Sequence, residues 1–230
     1  MSVNVDTVYQ RVLAILNKEQ RGYVTPQEFN LFANQAQLDI FEQYFYDVNQ
    51  FGRIPGNDTE YSDMLNILNE KINAFAKAAV LSYSTDHFNK PSDLYRLGTV
   101  IYNGNEAERI NKNEYLYVSK SPIAKPTNTF PVFVESSIGY NVYGDTEITS
   151  NTDVSCNYIK KPATAEWAGV LVNGVELQDS GNSVDFELHA SEETELVVKI
   201  LELAGIAIKD VSVYQVGAQM DAQKIQQEKA

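Results

Sequence analysis

Ser191-Glu192-Glu193-Thr194-Glu195-Leu196-Val197-Val198-Lys199-Ile200-Leu201-Glu202-Leu203-Ala204 reads as a complete amphipathic helix, and its place in the chain decides the fold. Ser191 is the expected N-cap, Glu192 and Glu193 complement the positive helix end, and Leu196, Val197, Ile200, Leu201 and Ala204 form the stripe to be buried. The hundred or so residues before it are written in strand vocabulary, and the residues before those are helical again. The chain therefore reads helices, strands, helices. This is an α+β protein in which a helical core is built from both chain ends and an antiparallel β block is inserted between them. Gly205 is expected to stop the helix. A second helix then restarts at Asp210 and runs through Tyr214, Gln215, Gln219, Gln223, Gln226 and Gln227 to Lys229. It is polar nearly all round. A helix with so little to bury either frays or lies against another protein, which makes Tyr214, Gln215, Gln219 and Gln223 candidate contact residues.

Working toward the N-terminus, the expected division is 1–85 helical, 86–189 β-rich and 190–230 helical with an extended tail. Val8, Val12, Ile15 and Leu16 line one face of a first helix that Gly22 closes. The second has the clearest start signal: Thr25 as N-cap, Pro26 at the first helical position, Glu28 completing a capping box, and Val24 with Phe29 as a hydrophobic staple. It is expected to run to about Val48. Phe29, Ala33, Ala36, Ile40 and Tyr44 make one apolar stripe on it, while Leu31, Leu38 and Phe45 recur at every seventh residue on the opposite side. A helix apolar on two sides is buried in its own domain or shared with a neighbour, so Leu31, Leu38 and Phe45 are candidate interface residues. After the breaker loop Gly52–Asp58, a third helix is expected from about Glu60, burying Met64, Leu65, Leu68, Ile72, Phe75 and Ala79, with periodicity lost near Ser84.

From Asp86 to His189 tyrosine, valine and threonine alternate with turn residues. Asn103-Gly104 and Asn173-Gly174 sit between apolar runs as two-residue hairpin turns, so the block is expected to be an antiparallel meander. Lys90-Pro91, Lys125-Pro126 and Lys161-Pro162 recur at nearly even spacing and read as punctuation of strand entries rather than as a repeat.

The chemistry-bearing residues are few. His87 and His189 lie at opposite edges of the β block, and both are expected to fix strand-to-helix junctions by hydrogen bonds, with Asp86 pointing away from His87. No Cys/His spacing suits zinc, no calcium loop occurs, and neither Gly-x-Ser-x-Gly nor a glycine-rich phosphate loop is present. Cys156 lies within a strand-like run and reads as a small buried hydrophobe. No cofactor or metal is expected. Thirty-one acidic side chains guarantee chance carboxylate neighbours, so no pair stands out. Trp167 and fourteen tyrosines offer the materials of a sugar-stacking platform, although tyrosine is also an ordinary strand residue.

Eighteen basic residues against thirty-one acidic ones leave a formal charge of -13, which opposes grip on nucleic acid phosphates. No run is long enough to span a bilayer, and Met1–Asp6 lacks the basic and apolar regions of a signal peptide, so assembly in a cytoplasm is expected.

Three stretches resemble a known family. Phe88-Asn89-Lys90-Pro91-Ser92-Asp93-Leu94-Tyr95-Arg96-Leu97, leaving the helical opening for the β insert, resembles the corresponding junction in tail adaptor (gatekeeper) proteins of short-tailed bacteriophages. Asp185-Phe186-Glu187-Leu188-His189 with Glu195–Leu201 and Ala204-Gly205-Ile206, and Lys18–Pro26 with Phe29-Asn30, are similar to virion structural proteins of crAss-like phages. The resemblance implies a head-to-tail connector: a homo-oligomeric ring, commonly twelvefold, in the virion neck or tail. Such a ring stacks under the portal, touches other neck or tail rings, and lets DNA pass through its lumen without specific binding. It implies a structural protein assembled in the host cytoplasm, not an enzyme and not membrane-bound. The alternative expectation is a receptor- or carbohydrate-binding tail component using the tyrosine-rich β block.

Overall fold

The computed structural model describes residues 2–17, 24–51, 64–149, 153–172 and 175–208, together with Gln219 and Ala222. Among these residues the fold is α+β, with five α-helices, an eight-stranded mixed sheet and a two-stranded sheet. The chain divides into two compact units, one comprising 1–74 with 162–230 and the other 75–161. Both ends of the chain do build the helical unit. The unit boundaries, however, fall at 74/75 and 161/162 instead of at the expected 85/86 and 189/190.

In the helical unit, α1 (Val5–Asn17) is held at its start by residues distant in sequence. The Asn4 side chain accepts the Thr7 N–H at 3.0 Å, and Asp185 accepts the Val5 N–H at 2.9 Å, so two otherwise orphaned donors are satisfied. Val5, Val8, Tyr9, Val12 and Leu16 are buried, whereas Ile15 lies off the stripe and is half exposed. The expected stop at Gly22 lies outside the described residues.

The start of α2 (Pro26–Phe51) follows the expected box: Thr25 N–H donates to Glu28 at 2.9 Å, and Glu28 N–H donates to the Thr25 hydroxyl at 3.3 Å. Val24 and Phe29 are both buried, as is the whole stripe Phe29, Ala33, Ala36, Ile40 and Tyr44. The helix runs three residues beyond Val48. By contrast, α3 (Met64–Asn73) is shorter than its pattern suggests; its start at Glu60 lies outside the described residues. Leu68 and Ile72 are buried, but Phe75 and Ala79 lie beyond the helix end.

A 3-10 turn, Ala190–Glu192, leads into α5 (Glu193–Ile208). Its cap is His189, whose ring nitrogen accepts the Ser191 N–H at 3.3 Å, so Ser191 is part of the turn and not the N-cap. Leu196, Val197, Ile200, Leu201 and Ala204 are buried as expected. Gly205 does not end the helix: it sits buried within it, where the packing of α5 on α1 and α2 outweighs the roughly 1 kcal/mol propensity cost of glycine. The tail from Asp210 lies outside the described residues except for Gln219 and Ala222, which are helical and exposed.

Residues 162–189 belong to this unit and not to the sheet, because α2 reads their backbone. Asn30 exchanges two hydrogen bonds with the backbone of Trp167 at 2.8 and 3.2 Å, and Asn34 exchanges two with Ala165 at 2.9 and 2.8 Å. Gln37 donates to the Ala163 carbonyl at 2.8 Å and accepts from Glu187 N–H at 3.3 Å. Side-chain amides one helical turn apart thus pair with alternate residues of an extended segment, as a neighbouring strand would. Two short strands, β9 (Gly169–Val172) and β10 (Val175–Gln178), pair antiparallel in the same unit; Asn173-Gly174 between them lies outside the described residues.

The sheet unit contains β1 (Ala76–Val80), β2 (Tyr83–Ser84), β3 (His87–Asn89), β4 (Leu94–Tyr102), β5 (Asn105–Ile110), α4 (Lys112–Val118), β6 (Val132–Glu135), β7 (Gly139–Tyr143) and β8 (Val154–Lys160). The strand order is β1-β8-β4-β5-β6-β7-β3-β2. Its two outermost strands, β1 and β2, are joined only by Leu81 and Ser82, so the sheet is rolled until its edges meet. Leu81, Phe88, Val100, Phe133, Tyr140, Val142 and Cys156 pack inside.

Asn103-Gly104 forms the expected tight turn, with φ of 48° and 82°. The block is not a meander, however: β5 and β6 are parallel. A parallel pair requires a crossover, supplied here by residues 111–131 with α4 inside them. The Lys-Pro pairs mark no repeat; Pro91 precedes β4, Pro126 lies in the crossover and Pro162 leaves β8.

Candidate interaction surfaces

His189 caps a helical turn, as expected of a junction histidine. His87 departs from expectation, its Nδ1 lying 2.7 Å from Asp86 Oδ1. Thr85, with φ of 55°, turns the chain sharply between β2 and β3 and brings the two neighbours together. Cys156 is fully buried, and burial pushes its thiol up to about 11, away from the reactive range. Trp167 is buried in the helical unit, its ring 4.3 Å from that of Tyr9 and its indole N–H donating to Asp6 at 2.9 Å. It therefore offers no face to a sugar and is not part of the tyrosine-rich sheet.

A charged cluster is buried in the helical unit. Glu192, 1% exposed, is ion-paired with Lys71, which also lies 5.5 Å from the centre of the Tyr44 ring. Asp47 and Glu195 line the same void. At about 30 Å³ it has room for one water and none for a substrate. Among the described residues, no three His, Cys, Asp or Glu side chains converge to hold a metal, and no helix is long and apolar enough to cross a membrane.

The outward faces are more informative. The three residues of the second α2 stripe separate: Leu31 is 71% exposed, Leu38 is half-buried, and Phe45 is buried edge-to-face against Phe41 at 5.2 Å. A seven-residue step falls about 20° short of two helical turns, so the stripe drifts toward the core. Tyr46, 63% exposed, continues the exposed face in place of Phe45, and Asp39 and Glu42 are exposed on it as well. Of the tail candidates, Gln219 is exposed, while Tyr214, Gln215 and Gln223 lie outside the described residues.

Sequence periodicity gave no notice of the second surface, which is the 111–131 crossover of the sheet unit. Asn111 and Glu114 form a capping box at the start of α4, and Tyr115 stacks on Tyr143 at 3.9 Å, anchoring the helix to β7. The rest of the crossover presents Leu116, Tyr117, Ile123 (97% exposed) and Phe130 (75%) outward. Ile110, Val118, Ile123, Pro126, Phe130 and Val132 line a groove of about 640 Å³ beneath it. Lys112, Lys120 and Lys125 are exposed on the same excursion, against the single acid Glu114. A third surface is the β9–β10 hairpin, where Val170 and Leu177 pair directly and both are exposed, as is Leu171.

Charge is distributed as unevenly as these patches. Twenty-two acids and nine cations fall in the helical unit, but nine of each fall in the sheet unit. The whole net charge of -13 therefore belongs to the helical unit.

No family model matches the chain, and no curated protein matches it.

Proposed function

We propose that this chain is a ring-forming connector at the head-to-tail junction of a short-tailed bacteriophage, a structural and non-enzymatic protein stacked beneath the portal. The observation that carries the reading is the pair of unlike apolar surfaces, one on α2 of the acidic helical unit and one on the lysine-bearing crossover of the sheet unit. Two different patches on one chain favour heterologous contacts, and heterologous contacts generate a ring where the rotation between copies closes. The resemblance of the Phe88–Leu97 and Asp185–Ile206 stretches to phage neck proteins gives the ring its setting. A helical unit carrying -13 suits a lumen that DNA traverses without adhering, since phosphates are repelled within the roughly 8 Å screening length of physiological salt.

Electron microscopy of the purified chain, alone and with its portal, tests this reading. Rings with rotational symmetry are expected; a particle that stays monomeric in both preparations contradicts it.

A further inference from the structure

Resting on the ring reading, we infer which surfaces meet: the 111–131 crossover of one copy docks on the outer face of α2 of the next copy. Ile123 and Phe130 lie against Leu31, Leu38 and Tyr46, and Lys112, Lys120 and Lys125 face Asp39 and Glu42. The occupant of the crossover groove is thus a second copy of this chain.

The chemistry of the two faces is matched. Each presents large apolar side chains to water, Leu116, Tyr117, Ile123 and Phe130 on the crossover and Leu31 and Tyr46 at the two ends of the α2 face, and interfaces bury such side chains. Beside them the charges of the crossover and of α2 are opposite, while Glu108 and Arg109, which also line the groove, offset each other. Residues 111–131 contain three lysines and one acid. That one acid, Glu114, is turned back on the Asn111 N–H at 2.8 Å. On α2 the exposed face between Leu31 and Tyr46 carries only acidic charge, Asp39 and Glu42.

Self-pairing of either patch would put like charges together, at a cost in affinity; pairing one with the other removes that repulsion. The size is also suitable. From Leu31 to Tyr46 is about 22 Å along the helix, comparable with the width of a standard protein interface of about 800 Å² per side. Because donor and acceptor patches differ, each copy keeps one of each free for its two neighbours, which is the requirement for a chain of contacts that closes.

Charge reversal and its rescue test the contact, using the full-length protein and reading the concentration at half-assembly by mass photometry. Reversing the lysines (Lys112→Glu, Lys120→Glu and Lys125→Glu together) or the acids (Asp39→Lys with Glu42→Lys) is expected to raise that concentration at least about tenfold. Combining all five changes on one chain is expected to restore assembly to near the wild-type value, since the pairs are again opposite. Parents that assemble like wild type, or a combined variant as defective as its worse parent, overturn the inference.

Zero-length carbodiimide coupling of mixed ¹⁴N and ¹⁵N wild-type copies is an independent reading that needs no variant to fold. It is expected to join a crossover lysine of one isotope to Asp39 or Glu42 of the other, and rings without such links overturn the contact. Rings that form but ignore charge reversal leave the connector reading standing and remove only this interface, whereas absence of rings removes both.

Discussion

The two units of this molecule distribute their charges differently. The helical unit buries an ion pair, Glu192 with Lys71, and carries the full net charge on its own residues. The sheet unit is electrically neutral, has an apolar interior, and holds its ion pairs at partly exposed positions: Lys90 and Arg109 on Glu135 at 2.8 and 2.6 Å, and Lys77 on Asp93 at 2.8 Å.

The units also differ in how they reach structural uniqueness. The rolled sheet is specified by strand register and by where glycine allows close approach. The helical unit is specified by side-chain-to-backbone bonds spanning more than 120 residues of sequence, from Asn30, Asn34 and Gln37 to residues 163–167. The difference teaches that the helical unit is sensitive to loss of a polar partner, the sheet unit to added bulk.

Four substitutions sharpen or break that contrast. The largest effect is expected for Lys71→Met, which removes the cation paired with the buried Glu192. A loss of about 3–5 kcal/mol should appear as loss of amide-exchange protection across α2, α3 and α5. If protection there is unchanged, the helical unit does not depend on its internal ion pair. Next comes Gly139→Ala. An added Cβ would collide with the Phe88 carbonyl and the His87 ring, so strands β3 and β7 should separate at a cost of about 1–3 kcal/mol, read by chemical denaturation.

Tyr140→Phe should go the other way. Among the described residues the buried Tyr140 hydroxyl meets no hydrogen-bond partner, and burial pushes its ionisation up to about 12. Removing it should stabilise by about 1 kcal/mol, and a clear destabilisation would reveal a partner. The smallest effect concerns Asp93, whose carboxyl is held below its ordinary range by Lys77 and by the Tyr158 hydroxyl at 2.8 Å. A lowered carboxyl contributes stability that is complete above the ordinary value near about 4 and is lost as pH falls through the folded value. Asp93→Asn should therefore lower the melting temperature slightly at pH 7 and flatten its fall between pH 4 and pH 2. Parallel curves for the two proteins would show the triad to be idle.

The elements most legible in the sequence were those whose signals are local. The Thr25–Glu28 box, the buried stripes of α2 and α5 and the Asn103-Gly104 turn all stand as read. The readings that failed turn on partners distant in sequence. Ala76-Lys77-Ala78-Ala79-Val80 has helix-forming composition, yet it becomes a strand because pairing with β8 outweighs propensity. Residues 162–189 read as strands of the sheet but are bound by α2, through amide side chains that a periodicity argument counts as solvent-facing. The parallel β5–β6 pair, and with it the exposed crossover, depends on β6 skipping the nearest antiparallel position. Of the interface candidates, Leu31 stands exposed, but Phe45 yields to Tyr46 because helical periodicity is not a whole fraction of seven.

The central claim is that an acidic helical unit and a neutral, lysine-fringed sheet unit equip one chain to meet copies of itself head to tail. Rotationally averaged electron microscopy of the purified full-length protein, imaged across a concentration series, addresses it most directly. The account predicts closed rings of uniform subunit number that come apart as salt is raised. Monomers at every concentration, or two-fold symmetric dimers, would contradict it.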